Sequence, residues 1–327
     1  MKIMVYSFNA ADERDFFDEI CRAAGVEYDT CPDYPSLDNV HLAKGCDAIR
    51  IQVCDMNAEL IRALHAQGVR YICTRSIGTE HIDMKTVREL GMRASHAVYS
   101  PESVANYAIM LMLMACRKLP YVLDRARMQD FSLQGKRGRE LSKMTVGVIG
   151  LGRIGRTVLR HLSGFGCRLL GYDVQATEEA RALCEVVDLE SIWRECDVIT
   201  LHCPATTDNH HMIDARTMEK MKQGVIIVNT ARGSLIDSAA LIDALEAGKI
   251  GAAALDVLEN EYGLYYMNRM GDAIANRELA LLSSFPNVIV SPHTAFYTDV
   301  SIRDMAQCTV EATCAFANGE DTDLEVK

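Results

Sequence analysis

An α/β architecture of two parallel sheets, each covered by helices, is predicted by three observations. Short apolar runs of strand character alternate with helix-forming runs over most of the 327 residues, as expected of parallel strands joined by helical crossovers. One run, Met144-Thr-Val-Gly-Val-Ile-Gly150-Leu-Gly152-Arg-Ile-Gly155, passes from a strand through a Gly-x-Gly-x-x-Gly turn into a helix. A second, Arg168-Leu-Leu-Gly-Tyr172, ends in Asp173, roughly twenty residues beyond the glycines, where a ribose-binding carboxylate belongs. The glycines allow a tight turn, let backbone approach a pyrophosphate, and let the helix pack closely with its N-terminal amides facing the anion. Alone the glycine pattern is weak; with the second strand and its acid it points to a dinucleotide.

The length suits two domains, each large enough to bury a core. With 49% hydrophobic and 24% charged residues and no low-complexity tract, the chain is globular. Order is expected everywhere except over the last residues, Gly319 to Lys327. A net charge of −11 argues against nucleic acid or an anionic membrane as partner, since both require a basic face. The opening Met1-Lys-Ile-Met-Val-Tyr6 reads as a strand rather than a signal peptide, and the longest apolar run, Tyr107 to Cys116, is too short to span a bilayer. Twelve cysteines show neither a Cys-x-x-Cys pair nor zinc-ligand spacing, so no metal is expected and scattered thiols suit a reducing cytoplasm.

In chain order, strands are expected at Ile3 to Tyr6, Ala48 to Val53, Tyr71 to Thr74 and near Ala97 to Tyr99. Asn57 caps a helix carrying Leu60, Ile61 and Leu64 at helical spacing before Gly68. This region has no dinucleotide fingerprint and is the candidate substrate domain. Ser100-Pro101-Glu102 starts a helix through a capping serine, a first-turn proline and an acid favoured by the dipole. Its continuation through Met114 is apolar nearly all round and must be covered on every side, by a core or by interfaces. Beyond the glycine turn, strands at Asp197 to Leu201, Val225 to Asn229, Ala252 to Leu255 and Val288 to Val290 alternate with helices at Leu189 to Arg194, Thr217 to Lys222 and Ala239 to Ala247. With the first two strands they make about six parallel strands, a doubly wound nucleotide domain. Glu259 to Phe285 is too long and polar for an ordinary loop, and such excursions usually serve a site or an interface.

Ligands of open α/β sheets bind beyond the carboxyl ends of the strands. There the sequence places Thr230-Ala231-Arg232-Gly233, Asp256 with Glu259 and Glu261, and Ser291-Pro292-His293. The arginine fork matches a carboxylate. An imidazole, with a free pKa of about 6.5, exchanges a proton with a carbonyl or hydroxyl oxygen, and a neighbouring carboxylate fixes its tautomer. With hydride chemistry from a nicotinamide, these parts interconvert 2-oxo and 2-hydroxy acids. Each residue alone has an ordinary structural reading, as a surface arginine or one of nine histidines. His202 also ends a strand, and Glu259 competes with Glu261.

The motifs Gly150-Leu-Gly-Arg-Ile-Gly155, Val228-Asn-Thr-Ala-Arg-Gly233, Leu255-Asp-Val-Leu-Glu-Asn-Glu261 and Ser291-Pro-His-Thr-Ala-Phe-Tyr297 resemble the D-isomer-specific 2-hydroxyacid dehydrogenases over almost the whole chain. Tyr71-Ile-Cys-Thr-Arg-Ser-Ile-Gly78, Val98-Tyr-Ser-Pro-Glu-Ser-Val104 and Phe296-Tyr297 are most similar to the D-lactate dehydrogenase branch. The resemblance implies a Rossmann NAD-binding domain, residues 101–297, inserted into a flavodoxin-like substrate domain formed by residues 1–100 and 298–327. It implies His293 as acid/base, Glu261 as its partner and Arg232 as the carboxylate clamp. Ile77 and Gly78 would bind the same carboxylate through backbone amides, and Tyr99 and Phe296 would line the pocket. At Ile51, where lactate-specific relatives often carry an aromatic, the aliphatic residue would leave room for a larger substrate. Cofactor contacts are implied for Gly150, Gly152, Arg153, Ile154, Gly155, Asp173, Cys203, Pro204, Asn209, Thr230, Ala231, Arg232 and Asp256. Asp173 opposes a 2′-phosphate, which favours NAD over NADP.

The resemblance also implies a dimer through the helix opening at Ser100. A rival of another class is an NAD-sensing corepressor of the same fold, disfavoured because the chain lacks appended tails or a basic patch. Formate oxidation is disfavoured because that branch pairs its histidine with glutamine. The expected activity is reversible hydride transfer between NADH and a 2-oxo acid, either pyruvate or a branched or aromatic one, in the cytoplasm.

Overall fold

The computed structural model describes residues 1–261 and 263–326, which divide into two compact units: Met1–Ser100 with Tyr297–Lys327, and Pro101–Phe296.

The first unit carries β1 (Lys2–Val5), α1 (Ala10–Ala24), β2 (Glu27–Thr30), β3 (Ala48–Ile51), α2 (Ala58–Ala66), β4 (Tyr71–Thr74), α3 (Met84–Glu89) and β5 (Arg93–Ser95). Its sheet is wholly parallel in the order β2-β1-β3-β4-β5, the doubly wound order with its switch point beside β1. Ile49, Ile51 and Ile72 face a core with Leu60, Ile61 and Leu64 of α2. Ile3, Val5 and Phe17 form the opposite core. Asn57 caps α2 by accepting from the Leu60 N–H at 3.1 Å, as its side chain predicts.

Two expectations are corrected here. The fifth strand is Arg93–Ser95 rather than Ala97 to Tyr99, and β2 was not expected because its Glu-Tyr-Asp-Thr sequence is polar and mostly exposed. An edge strand buries too little surface to need an apolar pattern. The tail is also ordered: Glu325 bridges Ser95, Arg93 pairs with Glu325, and the Val326 N–H donates to the Ala94 carbonyl at 2.9 Å.

The second unit carries α4 (Pro101–Cys116), α5 (Leu119–Arg127), β6 (Thr145–Ile149), α6 (Arg153–Leu162), β7 (Arg168–Tyr172), α7 (Glu178–Arg181), β8 (Glu185–Val186), α8 (Leu189–Glu195), β9 (Val198–Leu201), α9 (Ala215–Lys220), β10 (Val225–Asn229), α10 (Ser238–Glu246), β11 (Ile250–Leu255), α11 (Arg277–Ser284) and β12 (Val288–Val290). A final helix, α12 (Asp299–Ala317), returns to the first unit, where Ala306 and Val310 pack against β1 and α1. The second sheet is parallel in the order β12-β11-β10-β9-β6-β7-β8. It has seven strands where about six were expected; the addition is the two-residue β8, too short to leave a periodic signal. Among its described residues the Glu259 to Phe285 excursion contains one helix, α11, anchored by buried Leu282.

The order reverses between β6 and β9, so the loops after these strands meet. A Cβ on Gly150, whose φ is +93°, would lie 2.5 Å from the Cys203 nitrogen. A Cβ on Gly155 would lie 1.9 Å from the Gly150 carbonyl oxygen, whereas one on Gly152 would meet nothing within 4 Å. The third glycine thus seats the helix on the turn, and the second leaves open space in front of it. Gly155→Ala is expected to abolish NADH binding and to lower Tm, because backbone lies where the methyl must go. Wild-type NADH affinity in this variant, measured by fluorescence titration, would contradict the close packing.

Candidate active site

Gly152 caps the ten-residue helix α6 with extended backbone and no side-chain cap bond, leaving first-turn amides available to a pyrophosphate. Arg153 and Ile154 occupy that first turn. The Leu151 N–H donates to Asp173 Oδ2 at 2.7 Å and the Gln175 N–H to Oδ1 at 2.9 Å, fixing the acid at the end of β7 beside the glycine turn. Asn209 closes its own loop, accepting from the Thr206 N–H at 2.7 Å and donating to the Pro204 carbonyl at 2.8 Å; it shapes the Cys203-Pro204 segment. Burial pushes the Cys203 thiol up to about 11, so it stays protonated. Thr230 Oγ1 is buried with no hydrogen-bond partner among the described residues, an acceptor and donor suited to a bound polar ligand. The uncapped helix, the open cradle and this hydroxyl all fit a dinucleotide.

At the end of β12, His293 Nδ1 lies 2.6 Å from Glu261 Oε1. A carboxylate only accepts here, so Nδ1 carries the hydrogen, and Nε2 meets no partner among the described residues. Glu261 Oε2 accepts from the Leu258 N–H at 2.9 Å. The competing acid is otherwise engaged: Glu259 Oε1 lies 2.6 Å from His211 Nε2, and its Oε2 accepts from the Ser238 N–H. The competing histidine is excluded too. Burial pushes the His202 imidazole down to about 3, leaving it neutral at physiological pH, with Nε2 2.9 Å from Thr200 Oγ1.

Asp256 is completely buried. Its carboxylate accepts from Ser291 Oγ at 2.6 Å, the Thr294 N–H at 3.0 Å and the Ala295 N–H at 2.8 Å, while its carbonyl accepts from the His293 N–H at 2.8 Å. These bonds hold His293 at φ +54°, a conformation L side chains rarely adopt. Arg232 follows a turn locked by buried Asn229, which accepts from the Ala231 N–H and donates to the Arg232 carbonyl. Gly233 permits this loop to touch the next one, since a Cβ there would lie 2.0 Å from the Leu258 carbonyl carbon. The loops bearing Arg232 and Glu261 are therefore neighbours.

Phe296 packs edge-on to the His293 ring, centroids 6.2 Å apart. Tyr266, which the sequence did not single out, lies 5.7 Å from the same imidazole and 6.2 Å from Phe296. Tyr107 Oη reaches Thr294 Oγ1 at 3.1 Å. In the first unit, Ile77 is exposed at the end of β4, and the amides of Ile77 and Gly78 make no hydrogen bond among the described residues, while Ser76 Oγ donates to the Gly78 carbonyl at 2.6 Å. Tyr99 is half-buried. Ile51 is wholly buried in the core under α2, because strand alternation turns it inward. The expectation that it lines a pocket is corrected. Its neighbour Arg50 takes the opposite face and is buried with Glu13 and Arg75 in an ion triad.

A dinucleotide cradle followed by a histidine–carboxylate couple and an arginine, all at strand ends, defines a nicotinamide-dependent oxidoreductase. The family model of the D-isomer specific 2-hydroxyacid dehydrogenase NAD binding domain matches residues 109–295. An aromatic 2-oxoacid reductase of Clostridium sporogenes is 42% identical over 95% of this chain and 94% of its own length. A D-lactate dehydrogenase of Lactiplantibacillus plantarum is 38% identical over 100% and 99%. The solved D-lactate dehydrogenase of Lactobacillus jensenii with NAD+ superposes at a TM-score of 0.86, 30% identical and covering the whole of both chains. The chain belongs to the D-isomer-specific 2-hydroxyacid dehydrogenases, in the D-lactate dehydrogenase branch, and is an NAD-dependent D-2-hydroxyacid dehydrogenase. Among the described residues, no helix is long and apolar enough to cross a membrane.

Asp256→Ala leaves three donors without their acceptor, each at a cost of about 1–3 kcal/mol when buried. Tm and kcat are expected to fall together, kcat by at least about 10-fold as the His293 turn relaxes, with a smaller loss in Asp256→Asn. Circular dichroism melts beside steady-state kinetics check this, and an unchanged kcat would separate the turn from catalysis.

Proposed function

We propose that this dehydrogenase reduces branched or aromatic 2-oxo acids with NADH at least as efficiently as it reduces pyruvate. The observation that carries the chemistry is the 2.6 Å contact of His293 Nδ1 with Glu261, which leaves Nε2 for the substrate. In the reductive direction Nε2 delivers a proton to the carbonyl oxygen, and Glu261 stabilises the imidazolium beforehand. The bound nicotinamide supplies the hydride. Arg232 engages the substrate carboxylate by its planar fork. Thr230, Asp173 and the first turn of α6 hold the cofactor, with Asp173 accepting from ribose hydroxyls and opposing a 2′-phosphate. Support for a large substrate comes from the aromatic surface that Phe296 presents beside His293 and from the relative named for aromatic 2-oxo acids.

The test is a panel of pyruvate, 4-methyl-2-oxopentanoate and phenylpyruvate with NADH and NADPH. We expect the larger acids to equal or exceed pyruvate in kcat/KM, with NADH strongly preferred. His293→Ala is expected to lower kcat by at least about 100-fold, and Arg232→Lys to raise KM for the acid with NADH affinity unchanged. A kcat/KM clearly highest for pyruvate contradicts the substrate assignment, and parallel loss of NADH affinity reassigns Arg232.

The protein is proposed to act as a cytoplasmic homodimer. All twelve cysteines are free, as a reducing compartment allows. Leu119, Leu123, Met128, Phe131 and Leu133 expose apolar surface on α5 and the segment after it, a concentration that favours association. Light scattering on a sizing column should give twice the chain mass, with Phe131→Asp and Leu133→Asp together giving monomer. A wild-type monomer at micromolar concentration would rule the dimer out.

A further inference from the structure

The excursion after β11 exceeds what a connection to β12 needs, and one of its residues touches the acid/base. Its first turn hangs on Glu261: the Leu264 and Tyr265 N–H groups both donate to the Glu261 carbonyl, at 3.0 and 3.2 Å. The Tyr265 ring is buried in the core of the second unit and anchors the turn. The next residue, Tyr266, adopts φ +64° and carries its ring back over His293, 5.7 Å between centroids at an interplanar angle of 40°. Its hydroxyl donates to the His293 carbonyl at 3.2 Å, and its ring meets Phe296 nearly edge-on, at 69°.

We propose that Tyr266 is a positioning residue for His293, fixing both the backbone and the imidazole plane of the acid/base. The argument rests on the assignment of His293 as the proton donor. Hydrogen bonds constrain that residue at its N–H, its Nδ1 and its carbonyl. Its N–H is tied to the Asp256 and Ser291 carbonyls and its Nδ1 to Glu261; the peptide that follows is held on its N–H side by Asp256 Oδ1, and its carbonyl side is met by Tyr266. A left-handed residue that is not glycine persists only where its surroundings hold it, and the Tyr266 hydroxyl completes that hold at the carbonyl. The ring meanwhile limits rotation of the imidazole about its Nδ1 contact, since turning it would carry its edge into Tyr266 or Phe296. Nε2 is then aimed in one direction, and small misalignments of a proton donor are costly to rate. The same short turn thus supplies the carboxylate on one side of the imidazole and the ring on another.

Pyruvate is the probe, because its methyl group makes little demand on the pocket wall. Tyr266→Phe keeps the ring and removes only the hydroxyl bond, so kcat should fall about 3- to 10-fold, the range of one net hydrogen bond. Tyr266→Ala removes both restraints and should lower kcat by about 30-fold or more. In both variants KM for pyruvate and Kd for NADH should stay within about 2-fold of wild type, and Tm, given the partly exposed ring, within a few degrees. Unchanged kcat in Tyr266→Ala, or a loss appearing wholly in KM, overturns the proposal. Should Tyr266→Ala fail to fold, Tyr266→Phe decides alone, and wild-type kcat there overturns it. His293→Ala is run alongside: full activity in that variant defeats the proton-donor assignment itself, whereas an inactive His293→Ala beside unaffected Tyr266 variants defeats only the positioning role.

Discussion

The catalytic end of the second unit depends on one buried carboxylate. Asp256 follows β11, is completely buried, and satisfies its oxygens with three donors from the segment after β12. A buried carboxylate left without donors would be severely destabilising, so the segment 291–295 has one arrangement that meets its needs. That arrangement is the one that presents His293. Backbone strain at φ +54° is maintained by electrostatics beneath it. Glu261 then needs only a short turn from the same strand to reach Nδ1, and Gly233 lets the Arg232 loop lie in backbone contact with that turn. The three candidate side chains are thus arranged by strand adjacency and by one hydrogen-bonded buried carboxyl group.

The cofactor end follows a different constraint, the absence of side chains. Gly150 and Gly155 bring backbone to backbone, and Gly152 leaves space unfilled. The amides so exposed are balanced by Asp173, which takes the Leu151 N–H. Glycines and acid together form one device, in which the carboxylate stiffens the turn.

Much of this was legible because parallel strands and their C-terminal ends leave strong local signals. Apolar runs located β6, β9, β10, β11 and β12, and the residues after them include His293 and Glu261, which meet, and Arg232, whose loop touches the next one. What escaped was set by tertiary partners. β2 and β8 are edge strands without apolar pattern. Choosing Glu261 over Glu259 required knowing that His211 claims the latter. Asp256 follows a strand like the other candidates, and its part in holding the segment after β12 shows only in its burial and its three donors. Ile51 was misjudged for the reason that strand residues alternate, and its face is fixed by α2, far away in sequence terms from any pocket motif. Tyr266 carries no motif at all; its position arises from the anchoring of Tyr265 and the bonds to Glu261.

The first unit is interrupted in sequence, and this bears on the order in which the protein matures during synthesis. Its helix α1 is covered by α12, with Arg303 paired to Glu19 across 284 intervening positions. Pro101–Phe296 is continuous and holds all seven strands of its own sheet, so nothing it requires is made later. Residues 1–100, by contrast, emerge from the ribosome before it yet remain open along one face of their sheet until α12 appears. Through that interval Ile3, Val5 and Phe17 lack part of their cover. The nascent chain therefore passes through a stage in which the nucleotide fold is complete while the earlier-made half still exposes apolar surface, the stage most in need of a chaperone.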